Sequence, residues 1–207
     1  MHAPSKIVCV GRNYLEHARE LGNDLPSEPL IFLKPPSSLI GPGEAIVLPP
    51  ESERVEFEGE IAVVIGERLR HASEEQAARA VRAVLALNDV TARDLQKRDP
   101  QWTRAKGFDT FCPIGPPSED VGDLAALEVV TRVNGVERQR GSTAQMAFPI
   151  PMLLAYISRV MTLEPGDLVA TGTPAGVGPL APGDEVEIEV VGRSRVSNPV
   201  RAASASA

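Results

Sequence analysis

The sequence predicts an α+β fold, rich in strands and holding a few helical segments. Three observations carry that expectation. Glycine and proline number 17 and 19 in 207 residues, a density that divides a chain into short elements joined by turns. The run RVEFEGEIAVVIG (54–66) ends in β-branched apolar residues, as buried strands do. Asn134-Gly135 lies between two such runs, and that pair favours a type I′ hairpin turn.

The elements follow in order. KIVCVGRNY reads as a short buried strand ending at Gly11. NYLEHARELG reads as a helix closing on Gly22, since glycine tolerates the left-handed stop. A Pro- and Gly-rich passage from Pro26 to Pro50 encloses the apolar run LIFLK. The strand over 54–66 comes next. Ser73 and Gln76 form a capping box, and AARAVRAVLAL continues the helical composition to about Leu87. Thr91 and Asp94 suit the cap of a short helical turn in the loop that follows. Residues 98–118 read as irregular. LEVVTRVNGVERQRG is the hairpin. Pro149 and Pro151 precede LLAYISRVM, a helix that tolerates proline only in or before its first turn. LEPGDLVATG and LAPGDEVEIEVVG each place a Pro-Gly-Asp turn before a strand. Two copies are too few for a repeat array. We expect one domain over 1–207, with a disordered tail from about residue 200.

Composition excludes several classes. Aromatic residues are 4% of the chain, so aliphatic side chains must fill the core. No apolar run reaches the length of a membrane-spanning helix, and the first residues lack the apolar stretch of a secretory signal. A net charge of −7 argues against nucleic-acid binding. Cys9 and Cys112 stand far apart and read as small buried residues. A reducing cytoplasm is the expected compartment.

Candidate chemistry concentrates in a few segments. Alternation along a strand puts Glu56, Glu58 and Glu60 on one face, neighbours roughly 7 Å apart. Each like-charge pair then costs about 2 kcal/mol at an effective dielectric near 20. A divalent cation reverses that cost, and a solvated acidic face is the competing reading. Asp89 offers a third carboxylate at the start of a loop, where a plain turn role competes. Glu58, Glu60 and Asp89 would make an all-oxygen site suited to Mg²⁺ or Mn²⁺, with Ca²⁺ a further candidate, rather than to zinc. His17 and Glu20 share a helix face. A carboxylate there can raise imidazole basicity and make a water-activating pair, against an ordinary surface pair. Arg93 and Lys106 suit a carboxylate-bearing substrate, or are solvated cations. The loop ATGTPAGVGP can offer backbone amides to an oxyanion, or simply bends between strands. It is neither a Walker motif nor a dinucleotide fingerprint. His2 falls in the terminal arm and His71 in an exposed charged turn.

Taken together, CVGRNYLEHARELG, PLIFLKP, FEGEIAVVIG, LNDVTARDLQ, QWTRAKGFDTFCPIGP and LVATGTPAGVG resemble the fumarylacetoacetate hydrolase family in order and spacing. The resemblance runs from Lys6 to Asn198, to the family's small branch of acylpyruvate hydrolases, fumarylpyruvate hydrolases and oxaloacetate decarboxylases. It implies a β-rich roll of mixed sheets with a few helices, assembled as a homodimer. It implies Glu58, Glu60 and Asp89 as metal ligands, with Glu56 left out. It assigns catalysis to His17, Glu20 and Lys106, the first two on a mobile lid. It assigns substrate binding to Arg93, Gln96 and Thr173, and places Arg12 and Lys34 in matched segments. The implied activity is hydrolysis of acylpyruvate-type 1,3-diketo acids. His17, held by Glu20, would activate water, and a pyruvate enolate would leave. Oxaloacetate decarboxylation and isomerisation of a 2-hydroxyhepta-2,4-diene-1,7-dioate are the alternatives at the same site. Outside catalysis, a metal-binding module without turnover and an interaction domain are the competing readings.

Overall fold

The computed structural model describes residues 4–16 and 26–203. In chain order the strands begin with β1 (Ile7–Gly11), β2 (Leu30–Lys34), β3 (Leu39–Ile40), β4 (Ile46–Leu48), β5 (Val55–Phe57) and β6 (Gly59–Ile65). Helix α1 (Glu74–Arg79) leads into β7 (Val81–Asn88) and β8 (Thr91–Ala92). Helices α2 (Arg93–Arg98) and α3 (Thr103–Lys106) precede β9 (Cys112–Pro113), β10 (Glu128–Val133) and β11 (Val136–Ser142). Helix α4 (Ile150–Val160) is followed by β12 (Leu168–Ala170), β13 (Gly178–Pro179), β14 (Glu185–Val190) and β15 (Ser194–Ala202).

Two five-stranded mixed sheets dominate, in the orders β2-β1-β12-β6-β7 and β11-β10-β14-β15-β4. Strands β13, β5 and β8 form a third sheet, and β3 pairs with β9. Strand β6 runs through the middle. Ile61, Val63 and Ile65 enter one apolar cluster shared with Val129, Ile188 and Val196 of the second sheet. Ala62 and Val64 enter a second cluster with Ile7, Cys9 and Leu85 on the opposite face. Burial on both faces is why this strand reads as an unbroken apolar run.

The hairpin forms as its turn pair demands, with Asn134 at φ 53° and Gly135 at φ 76°, both left-handed as a type I′ turn requires. The apolar run LIFLK forms β2, the expected strands after each Pro-Gly-Asp turn are present, and α4 begins at Ile150 behind Pro149.

Four expectations need correction. The capping box of Ser73 and Gln76 forms, but the helix stops at Arg79 and residues 81–88 are strand. That segment pairs antiparallel with β6, Gly59 opposite Asn88 and Val63 opposite Val84. Its alternate side chains divide between the two apolar clusters, so tertiary pairing overrides the helix-favouring alanines and leucines. The strand over 54–66 is two strands in different sheets, broken at Glu58. Helix α2 starts without a side-chain cap. The Thr91 hydroxyl instead donates to Asp89 O at 2.8 Å, and Asp94 accepts from the Ser52 hydroxyl and the Glu53 amide. Finally, Val200–Ala202 are not a loose tail: they pair in parallel with Ile46–Leu48. The helix expected over 13–22 falls mostly outside the described residues, as do His17 and Glu20. No helix among the described residues is long and apolar enough to cross a membrane.

Candidate active site

The break at Glu58 builds the site. Its amide donates to the Asn88 side-chain carbonyl at 3.0 Å, and its carbonyl accepts from the Asp89 amide at 2.8 Å. The end of β7 is thereby fastened to the junction of β5 and β6, and Asp89 is delivered beside Glu58. From the other side, the Gly172 amide donates to Glu60 Oε2 at 2.8 Å, and the Thr173 hydroxyl donates to Gly59 O at 2.9 Å. Gln139, on β11, completes the clamp. It accepts from the Gly59 amide at 3.0 Å and donates to Thr173 Oγ1 and Pro174 O, both at 2.8 Å.

Glu58, Glu60 and Asp89 are all buried, and each offers a carboxylate oxygen within 4.8 Å of the other two. Burial, then the charges of Asp89 and Glu58, raise the Glu60 pKa well above the usual carboxylate range. Lys106 lies against the trio, its Nζ 2.6 Å from Asp89 Oδ2 and 2.8 Å from Glu58 Oε2. Burial works against that ammonium, but Asp89 and Glu58 outweigh it and raise its pKa. The same Nζ stands 4.9 Å from the centre of the Phe32 ring. Arg93 spends its guanidinium on three partners: Glu56 Oε2 at 2.6 Å, Gln96 Oε1 at 2.5 Å, and Glu58 Oε1. Burial opposes its charge, and Glu58 and Glu56 more than restore it.

These groups line one cavity of about 460 Å³. The structure brings together Glu58, Glu60, Asp89, Arg93, Gln96, Lys106, Thr173 and Arg12 around it. Lys34 is not on the lining. It stands behind Asp89, 2.8 Å from Oδ1 and 3.2 Å from Val90 O, so it supports a carboxylate instead of facing a substrate. Asp89 Oδ1 keeps that ion pair but no aligned hydrogen bond. A buried carboxylate oxygen so placed, within a trio of hard oxygen donors, fits a divalent cation.

Sequence reasoning missed several contributors. Glu56 turns away from the trio to hold Arg93, and also pairs with Arg54 at 2.6 Å. Trp102 and Phe32, ring centres 5.3 Å apart, form a wall. Lys97 also lines the cavity. Its spacing four residues after Arg93 was the available signal. Nothing local marks Gln139, whose partners lie across the fold.

The fumarylacetoacetate (FAA) hydrolase C-terminal family matches residues 6–201. The mitochondrial oxaloacetate decarboxylase of Dictyostelium discoideum is 45% identical over 194 residues, covering 90% of this chain and 89% of that protein. The human mitochondrial oxaloacetate tautomerase FAHD2A is 44% identical over 199 residues, covering 90% of this chain and 63% of that protein. Among solved structures, the 2-hydroxyhepta-2,4-diene-1,7-dioate isomerase of Mycobacterium marinum aligns with a TM-score of 0.90 at 46% identity, covering 98% of this chain and 77% of that one.

Proposed function

This chain belongs to the fumarylacetoacetate hydrolase family, and from that premise we propose a divalent-metal-dependent enzyme that forms the enolate of a 2-keto acid, with oxaloacetate as substrate. The observation that carries the reading is the convergence of Glu58, Glu60 and Asp89 with the Lys106 ammonium on the lining of one cavity. Glu58, Glu60 and Asp89 would hold Mg²⁺ or Mn²⁺, which when bound supplies Lewis-acid stabilisation of developing negative charge.

The chain's own groups do the rest. Lys106 is fixed beside the carboxylates and donates toward the oxygen on which the enolate charge grows, in a dry setting where such a donor counts most. Arg93 keeps Glu58 oriented through one arm and Gln96 through another. Gln96 and the loop at Thr173 receive the substrate carboxylate. Phe32 and Trp102 exclude water from the reacting carbons. In decarboxylation the C3–C4 bond breaks, its electron pair enters the enolate, carbon dioxide leaves and C3 takes a proton. In tautomerisation a proton leaves C3 and another reaches the 2-oxygen. Both pass through the same charge. Two relatives, a decarboxylase and a tautomerase of oxaloacetate, support this choice.

Hydrolysis of acylpyruvates is the second reading, favoured by the spacing of His17 and Glu20. Steady-state turnover of oxaloacetate and acetylpyruvate, with Mg²⁺, with Mn²⁺ and with chelator, separates the two. We expect metal-dependent loss or enol–keto conversion of oxaloacetate, abolished in Glu58→Gln. Cleavage of acetylpyruvate that fails in His17→Ala establishes the hydrolase. Silence on both substrates overturns the enolate reading. Saturating the site should raise unfolding stability by about 2.7 kcal/mol at a hundredfold excess of ion over its dissociation constant.

A further inference from the structure

A charge taken out of water is costly unless it is paired. Eight charged side chains are buried among the described residues, and seven of them meet in one cluster. Three are the bases Lys34, Arg93 and Lys106. Three are the carboxylates Glu58, Glu60 and Asp89. The seventh is Glu56, which is 2% exposed and does not line the cavity.

Without Glu56 the cluster would be balanced. Lys34 lies against Asp89, Lys106 against Asp89 and Glu58, and Arg93 against Glu58. Three bases would then answer three carboxylates, and a divalent cation entering neutral surroundings gains little attraction to offset its lost hydration. Glu56 changes the balance. With every group charged, four carboxylates against three bases leave one negative charge in excess.

The fold holds Glu56 in this place. Strand β5 pairs Val55 with Ala92 and Glu56 with Thr91, and the Arg93 amide donates to Arg54 O at 2.7 Å. The start of α2 is thereby fixed beside β5, and Glu56 Oε2 accepts from Arg93 Nε at 2.6 Å. The far end of the same guanidinium donates to Glu58 Oε1. Arg93 is shared between two carboxylates, and only one of them belongs to the trio. The other oxygen of Glu56 accepts from Arg54 Nε at 2.6 Å, but the Arg54 side chain is 58% exposed, so solvent screens that base.

We propose that Glu56 is a positioning residue that sets the affinity of the site for its divalent cation. It acts through Arg93, drawing guanidinium charge away from Glu58 so that the trio keeps the excess negative charge a cation needs. The inference rests on the reading of the trio as the metal site and deepens it.

Calorimetric titration of the metal-free chain with Mg²⁺ and with Mn²⁺ tests this, beside thermal melting in chelator. Glu56→Gln has nearly the same shape and still accepts from Arg93, so it removes the charge alone. It should weaken both ions about tenfold, the scale of one unit charge acting on a divalent ion at a distance of several bonds. Its melting temperature in chelator should not fall, because the remaining charges balance. Glu56→Asp keeps the charge and should keep most of the affinity. A purely structural role predicts the opposite ranking, with the shorter Asp failing and the isosteric Gln binding as the wild type does. Should Glu56→Gln not fold, Arg54→Gln reads the same charge from the other side. Losing that exposed base should tighten Mg²⁺ about twofold, the smaller effect of a solvent-screened charge. Wild-type affinity in Glu56→Gln, or no tightening in Arg54→Gln, overturns the role of Glu56 alone. A wild-type chain that takes up neither ion overturns the reading of the trio as well.

Discussion

At the residue scale, Gly59 is the point of least tolerance. It separates Glu58 from Glu60, and a Cβ there would stand 1.9 Å from Thr131 Oγ1 and 3.0 Å from Ile188 Cδ1. Gly59→Ala should therefore cost about 1–3 kcal/mol, the usual range for overpacking, read from denaturant unfolding. Thr131 Oγ1 is buried with no hydrogen-bond partner, so adding Thr131→Ala should recover much of the loss. No recovery would place the clash elsewhere. Alternation made Glu58 and Glu60 legible as a pair, and the position of Asp89 at the start of a loop offered the third carboxylate. Alternation misplaced Glu56, since the strand breaks at Glu58 and the register is not continued. Gln139 was invisible because its partner Gly59 lies 80 residues away.

At the element scale, Asp167 joins the start of the chain to the turn before β12. Its carboxylate accepts from the Ser5 amide at 3.1 Å, the Ser5 hydroxyl at 2.6 Å, the Lys6 amide at 3.2 Å and the Glu164 amide at 2.8 Å, and pairs with Lys6 Nζ at 2.5 Å. It thereby fixes β1 parallel to β12, Ile7 opposite Leu168. Burial opposes the charge, but the bonds from Lys6, Ser5 and Glu164 win and hold its pKa below the usual aspartate value. The unfolded chain thus binds this proton at higher pH than the folded one. The stabilisation is complete above the ordinary aspartate pKa and disappears as pH falls through the lower, folded value. Asp167→Asn should lose about 1–3 kcal/mol at neutral pH and show a flatter stability profile in acid. An unchanged acid profile would refute the role. Turn chemistry was readable here from Pro-Gly-Asp, as it was at Asn134-Gly135. The boundary between α1 and β7 was not readable: alanines and leucines suit a helix, and only β6 alongside decides for strand.

At the scale of the whole molecule, residues 200–202 are structural. Strand β15 lies beside β4, and the Val200 amide donates to Asp184 O at 2.8 Å while Val200 O accepts from the Gly183 amide at 2.9 Å. Removing residues 200–207 should cost about 2–4 kcal/mol, from the burial of Val200 and the lost ladder bonds. Removal from Ser204 onward is the control. Small polar composition suggested disorder across this whole tail, because a parallel partner more than 150 residues upstream leaves no local trace. The interior has a further consequence for how the chain matures. Glu56, Glu58, Glu60 and Asp89 are buried beside Lys34, Arg93 and Lys106, so most of the acid charge is answered by bases that arrive within the same polypeptide. Small zinc domains, by contrast, stay unfolded until their ion arrives. This chain brings its own counter-charges to assembly, so a newly made copy is expected to finish folding in a compartment starved of divalent ions.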